Sequence, residues 1–135
     1  INGYVGYPLS EKTILLVDRL KKEFGVFPVV TGRAKKTIRL KTSSNIDIGY
    51  INSTTLKEFD GVMGYRFREY KSSDSCPKAE ANALPEIFIK KYDLKEDDIV
   101  IQDGKGSNIG RRFLIIKNVN AAIRILKNDL DNIGP

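Results

Sequence analysis

The stretch from residue 26 to residue 51 reads VFPVVTGRAKKTIRLKTSSNIDIGYI and predicts three strands of a meander. Short apolar, β-branched runs separated by polar turns favour strands at residues 26–30, 35–41 and 46–51. In the second strand Ile38 and Leu40 alternate with Arg39 and Lys41, so the basic side chains are expected on the face opposite the core. Pro28 favours an edge position for the first strand because it has no backbone N–H to donate.

Helical patterns lie on both sides of this meander. The predicted helices cover residues 11–24, 78–92 and 119 to about 130. Ser10 is expected to cap the first helix and Gly25 to end it, while Asn118 is expected to cap the last. Pro85 predicts a kink in the middle helix or the start of its second part.

Further strands are predicted at residues 62–70, 99–102 and 113–116, with one helical turn within 52–59 and a polar loop at 72–77. No internal repeat or linker divides the chain, so residues 1–135 are expected to form a single domain. The fold class is therefore α/β or α+β, with a mixed, mostly antiparallel sheet flanked by about three helices.

Composition excludes several kinds of chemistry. The 135-residue chain has no histidine and one cysteine, Cys76, which excludes a Ser-His-Asp triad, a histidine-ligated zinc and an internal disulfide. A lone thiol of this kind is expected to be passive. No apolar stretch approaches the roughly 18 residues that span a bilayer, so we expect no membrane partner and a cytoplasmic or other intracellular location.

Positive charge is concentrated in the first half of the chain. Residues 1–73 contain 13 Lys and Arg against 7 Asp and Glu, a difference of +6, whereas residues 74–135 contain 10 of each. A patch of this kind attracts phosphate backbones. We therefore expect a nucleic-acid-binding domain, with DNA favoured over RNA and a homodimer left open. The candidate contact residues are Arg33, Lys35, Lys36, Arg39, Lys41, Arg66, Arg68, Lys105, Arg111 and Arg112.

The tripeptide Glu69-Tyr70-Lys71, preceded by Asp60 and Asp47, indicates a second function. An acid-x-Lys at a strand end after an earlier aspartate resembles the restriction-endonuclease-like superfamily, over about residues 10–103. The resemblance implies magnesium held by Glu69 with Asp47 or Asp60, and Lys71 orienting the attacking water in phosphodiester hydrolysis. On this alternative the chain is a magnesium-dependent endonuclease. Otherwise no cofactor is expected.

Residues 84–117 suggest a different family. This stretch resembles a module of DNA-binding pseudobarrels, of the plant type and of bacterial swapped-hairpin transcription factors. An ordinary helix–turn–hairpin unit accounts for the same pattern. The matching positions are Leu84, Pro85, Phe88, Leu94, Asp97 or Asp98, Ile99, Ile101, Asp103 and Gly104.

Two other features bear on binding. Glycines at 104, 106 and 110 with Lys105, Arg111 and Arg112 form a loop that is suited to phosphate but lacks the P-loop order, and a flexible hairpin explains it equally. Alternation in the strand at 62–70 places Tyr65 and Phe67 in the core, which leaves Tyr70 beside the arginines. A third class, an inhibitor or immunity module that binds an acidic protein, stays open because the basic patch fits it too.

Overall fold

The computed structural model describes residues 9–31, 36–52, 60–67 and 75–133. The structure confirms a mixed α+β fold with an antiparallel sheet. Within the described residues the helices are α1 (Glu11–Phe24), α2 (Lys78–Ala81), α3 (Leu84–Tyr92) and α4 (Val119–Ile133). The strands are β1 (Phe27–Thr31), β2 (Thr37–Lys41), β3 (Asp47–Ile51), β4 (Met63–Tyr65), β5 (Ser75–Pro77), β6 (Ile99–Asp103) and β7 (Arg111–Ile116). The predicted helical turn at 52–59 and the end of the predicted strand at 68–70 lie mostly or wholly outside these ranges.

The sheet is a four-strand meander joined to a hairpin. Strands β1 to β4 pair in chain order, β7 follows β4, and β6 pairs with the other side of β7. All of these pairings are antiparallel. Within the described part of the chain β1, β5 and β6 each pair with one strand, so β1 forms one edge of the sheet, while β5 and β6 lie on opposite sides of β7.

The prediction of a polar loop at residues 72–77 is wrong for residues 75–77. Ser75, Cys76 and Pro77 form β5 and pair with residues 111–113 of β7, next to the place where β4 pairs with residues 115 and 116. Strands β4 and β5 therefore occupy the same side of β7, one after the other. Ser75 and Cys76 are almost fully buried, and this pairing with a distant strand is not visible in a short polar sequence.

One face of the sheet is covered by helices. Leu16 and Leu20 of α1 and Ile125 and Leu126 of α4 are completely buried. They share one hydrophobic core with the strand residues Ile38, Leu40, Ile51, Met63, Leu114 and Ile116. Helix α1 begins and ends as predicted: the Thr13 N–H donates to Ser10 Oγ at 3.2 Å, and Gly25 adopts a left-handed φ of 65°. Asn118 Oδ1 likewise accepts from the N–H groups of residues 120 and 121.

The predicted middle helix is divided in two. Helix α2 ends at Ala81, a turn occupies residues 82 and 83, and α3 begins at Leu84 with Pro85 in its first turn. Proline is tolerated there because the N–H that it lacks has no partner within the helix. None of the helices in the described ranges has both the length and the apolar character needed to cross a membrane.

Candidate nucleic-acid interface

The sheet face opposite the helices, which we call the outer face, is defined by the strand register. Val29 lies opposite Arg39, Arg39 opposite Tyr50, and Tyr50 opposite Gly64, so these four residues form one row across β1 to β4. Ile38 and Leu40, their neighbours in β2, are 0% and 1% exposed within the core. The prediction that the basic residues of β2 lie opposite the core is therefore confirmed.

A second row lies next to the first on the same face. Phe27 is opposite Lys41, and Lys41 is opposite Asp47 across an irregularity in the β2–β3 register. The Arg66 N–H donates to the carbonyl of Ile48 at 3.3 Å, so the β3–β4 ladder continues through Arg66. Because Gly64 belongs to the outer face, alternation places Arg66 there too. Arg39, Lys41 and Arg66, named separately in the sequence, thus share one surface.

Arg39 is held in place by its neighbours. Its guanidinium lies 3.5 Å from Asp47 Oδ2 and 5.5 Å from the centroid of the Tyr50 ring. The Tyr50 ring in turn covers Gly64, since a Cβ added to Gly64 would lie 2.1 Å from Tyr50 Cζ. A planar guanidinium suits both contacts, one as an ion pair and one as a cation–π interaction. The arginine is therefore oriented, and part of its charge is neutralised by Asp47.

The outer face is positive. By register and alternation it includes Arg39, Lys41, Arg66 and Arg111, whereas Asp47 is the one acidic residue among the described strand residues on this face. No ion pair joins Lys41 to another described residue, and its side chain lies one strand in from the sheet edge. A field of this sign attracts anions.

Two exposed apolar side chains lie beside these cations. Phe27 is 50% exposed and Val29 is 41% exposed, both on the edge strand β1. Sequence reasoning missed them because a short apolar run with a proline does not say which residues face the core. The register supplies that signal: Pro28 and Val30 align with the buried Leu40 and Ile38, whereas Phe27 and Val29 align with the basic residues.

The remaining predicted contact residues are dispersed. Arg112 belongs to the helix-covered face: it pairs with Asp103 at 2.9 Å and donates to Asn82 Oδ1. The Arg112 hydrogen bond holds the pKa of Asp103 below its usual range. Lys105 is exposed in the turn that joins β6 to β7, and Lys36 is exposed just before β2. Arg33, Lys35 and Arg68 lie outside the described residues.

The two aspartates proposed as alternative metal ligands lie at different ends of the β3–β4 pair. In the antiparallel β3–β4 pair, Asp47 lies at the end of β3 that is beside the end of β4, whereas Asp60 precedes β4, beyond the other end of β3. Asp60 is exposed and pairs with Lys12 at 3.1 Å. Asp47 is bound to Arg39, and its Oδ1 accepts from the Gly49 N–H at 3.2 Å. The structure therefore does not bring the two aspartates together.

The other members of that motif, Glu69 and Lys71, lie outside the described residues, so the metal site stays a prediction. The described residues contain no cluster of three or more carboxylate or thiol side chains that could bind a metal ion. Of the two aspartates, Asp47 fits the motif better, because it lies beside the end of β4, the strand that precedes Glu69 in the sequence. Asp60 has no such relation to Glu69.

A separate cleft of about 330 Å³ lies between α3, α4 and the end of β4. Four of its polar groups are bonded in pairs: the Tyr65 hydroxyl donates to the buried Asp129, and the Asn128 amide donates to the Tyr92 hydroxyl at 3.2 Å. Phe67 is buried and makes an edge contact with the Tyr65 ring at 5.1 Å. The prediction that Tyr65 and Phe67 point to the core is confirmed. Tyr70 lies outside the described residues.

Cys76 is not suited to nucleophilic chemistry. It is 1% exposed within the hydrophobic core, and this burial raises the pKa of its thiol. Glu80 raises that pKa further, against smaller opposing effects of Arg111 and Arg112. Since the thiolate is the reactive form, the structure agrees with a passive cysteine.

Comparison of the chain with protein-family models, with curated proteins and with solved structures found no match in any of the three.

Proposed function

We propose that this protein binds nucleic acid by contacting the phosphate backbone with the outer face of its sheet. The observation that supports the proposal is the convergence of Arg39, Lys41, Arg66 and Arg111 on one face with a single described acid, Asp47. The helices lie on the opposite face, and the outer face is exposed at Phe27 and Val29 of its β1 edge, whereas Tyr50 and Ile115 further in are buried. Phosphates recur at close spacing along a nucleic-acid strand, so a surface that bears several cations suits them.

The individual cations have different roles in this proposal. Lys41 is a flexible ammonium that reaches a phosphate as a point charge. Arg39 is oriented by Asp47 and Tyr50, so replacing it also removes contacts within the sheet. Four phosphate contacts correspond to a slope of log affinity against log salt of about −3, from about 0.7 to 0.9 for each contact. This steep dependence on salt distinguishes phosphate binding from an apolar interface.

The test is fluorescence anisotropy with labelled DNA and RNA, in single-stranded and duplex form, from about 50 mM salt upward. Lys41→Glu is the informative variant, because it reverses a charge on the outer face without breaking a described ion pair. We expect it to weaken binding to all sequences and to lower the salt slope by about 1. The matched control is Lys127→Glu, which makes the same charge change at an exposed position of α4.

Two results would contradict the proposal. One is the absence of binding to every nucleic acid at the lowest salt, which would favour the alternative of an acidic protein partner. The other is an equal loss in Lys41→Glu and Lys127→Glu, which would mean that net charge alone matters. Screening predicts instead that the control changes affinity by less than about twofold, since its charge lies on the helical side.

A magnesium-dependent endonuclease is a second proposal. The observation that favours it is the place of Asp47, at the start of β3 and beside the end of β4, from which the chain continues toward Glu69 and Lys71. In this case the outer face holds the backbone and the carboxylates hold the metal. Incubating labelled duplex DNA with and without magnesium tests it. Cleavage that requires magnesium and is lost in Lys71→Ala would support hydrolysis, whereas an intact substrate would leave binding alone.

A further inference from the structure

We infer that the ligand of the outer face is a single-stranded nucleic acid, with an unpaired base stacked on Phe27. This inference rests on the proposed function and names the form of nucleic acid that the surface selects. A phosphate next to that base meets Lys41, while the base contacts the aromatic ring at the sheet edge. DNA and RNA single strands share this chemistry.

The first argument concerns shape. The cations of the outer face extend from β2 to β7, and the exposed apolar residues add β1. Adjacent strands are about 4.8 Å apart, so the first four strands alone span about 14 Å between their axes. The major groove of duplex DNA is about 12 Å wide and admits a helix or a two-stranded ribbon. A sheet of this width therefore cannot enter the groove, whereas a single strand can contact its exposed edge at Phe27 and Val29.

The second argument concerns Phe27. Phe27 is 50% exposed on an edge strand, so its ring is accessible to an unpaired base. Duplex DNA presents phosphates and sugars to a surface that stays outside its grooves, and neither stacks on a ring. Unpaired bases do stack, and such contacts are tolerant of sequence because every base has a π-face. Val29, on the same face two residues away, extends the apolar area beside the ring.

The third argument is the spacing of ring and charge. Phe27 and Lys41 lie directly opposite each other in adjacent antiparallel strands. Cβ atoms of such pairs are about 4.5–5.5 Å apart, so a base on the ring places its own phosphate within reach of the lysine. Arg39, two residues from Lys41 on the same strand and face, supplies a second cation opposite Val29. Stacking at the edge and charge toward the centre thus act on one ligand.

A second copy of the chain is a poorer occupant of this surface. Two outer faces brought together would oppose cations to cations, which is unfavourable. Extension of the sheet through β1 would also lose a hydrogen-bond donor, because Pro28 has no backbone N–H. Charge complementarity therefore favours an anionic strand.

The experiment compares a fluorescein-labelled single strand of about 12 nucleotides with the same sequence as a duplex, in both DNA and RNA, by anisotropy at about 100 mM salt. We expect the single strand to bind more tightly. Phe27→Ala is expected to weaken single-strand binding by about 5- to 100-fold, the range of one stacking contact. Leu15→Ala is the matched control, since Leu15 is 53% exposed on α1 at the other side of the sheet.

Two further variants separate stacking from simple apolar contact and from damage to the fold. Phe27→Leu keeps an apolar side chain without a π-face, so it should lose most of the affinity, whereas Phe27→Trp should retain it. Far-ultraviolet circular dichroism checks that each variant is folded. Sedimentation velocity without nucleic acid tests the second copy: a dimer that Phe27→Ala dissociates would overturn the inference.

The results for the inference and for the proposed function are distinguishable. Equal affinity for single strand and duplex, together with no effect of Phe27→Ala, would overturn the inference while Lys41→Glu still weakened binding. No binding to any nucleic acid would overturn both. A preference for RNA over DNA, or the reverse, with the Phe27→Ala effect intact would support the inference and identify the source of the strand.

Discussion

Gly64→Ala is the substitution whose effect the structure defines most clearly. The ring of Tyr50 lies flat over Gly64, and an added Cβ would come within 2.1 to 2.6 Å of three ring atoms. Real Cβ atoms do not approach other atoms so closely, so the ring must move. Tyr50 is only 5% exposed, and its displacement also disturbs the Arg39 guanidinium that lies over it.

The size of the effect lies between two estimates. Overpacking by one methyl group typically costs about 1–3 kcal/mol. If the ring were expelled completely, about 150 Å² of apolar surface would become exposed, and about 25 cal/mol per Å² gives an upper limit near 4 kcal/mol. We expect Gly64→Ala to lower the free energy of unfolding by about 1–3 kcal/mol, a large part of the roughly 5–15 kcal/mol of a typical domain.

Urea denaturation followed by far-ultraviolet circular dichroism measures this change, and a double-mutant cycle tests its cause. With Tyr50→Val as the background, the clash is absent and alanine is favoured over glycine in a strand by about 0.5–1 kcal/mol. Gly64→Ala should then cost nothing or stabilise slightly. Gly49→Ala is the control, because its Cβ would meet Met63 Cε and the Gly64 carbonyl. A cost for Gly64→Ala that is the same in both backgrounds would refute the reasoning.

Three other predictions concern stability and reactivity. Ser10→Ala removes the acceptor of the Thr13 N–H and should lower the free energy of unfolding by about 1 kcal/mol, whereas Ser10→Asp should not; equal losses by chemical denaturation would contradict the capping role. Because the hydrogen bond from Arg112 lowers the pKa of Asp103, the ionised Asp103 carboxylate stabilises the folded protein at pH values above its ordinary pKa of 3.8. This stabilisation is lost as the pH falls through the lower pKa of the folded state. The wild-type protein should therefore have a higher melting temperature than Asp103→Asn at about pH 6 and the same melting temperature at about pH 2. A difference in melting temperature that did not shrink in acid would contradict a stabilisation by the ionised Asp103. The buried thiol of Cys76 should react with a thiol-specific reagent much more slowly in the native protein than in denaturant, and rapid labelling of the folded chain would show that it is accessible.

The elements with local signals were predictable to within a residue or two. Helix α1 has a serine cap, a four-residue apolar spacing and a terminal glycine, and all of these act between residues close in sequence. The same is true of β2, where strict alternation identified both the buried Ile38 and Leu40 and the outward Arg39 and Lys41. Strand β5 had no such signal, because three polar or small residues become a strand only through pairing with β7.

The candidate surface was predictable only in part. Basic residues were identified from charge, but charge alone did not separate Arg66, which joins the outer face, from Arg112, which pairs with Asp103 on the other side. The exposure of Phe27 was also hidden, since an apolar residue next to a proline is compatible with either face. These distinctions depend on which strands are neighbours.

Amino-acid order alone established an α+β chain with a basic strand face and without histidine chemistry, because composition and periodicity are properties of neighbouring residues. The assembled sheet added the relations that cross strands. It places Phe27 opposite Lys41, Tyr50 over Gly64 and Asp47 beside Arg39, pairs that are 14, 14 and 8 positions apart in the sequence. Register and long-range burial set such pairs, and both arise only when the whole core closes around the strands.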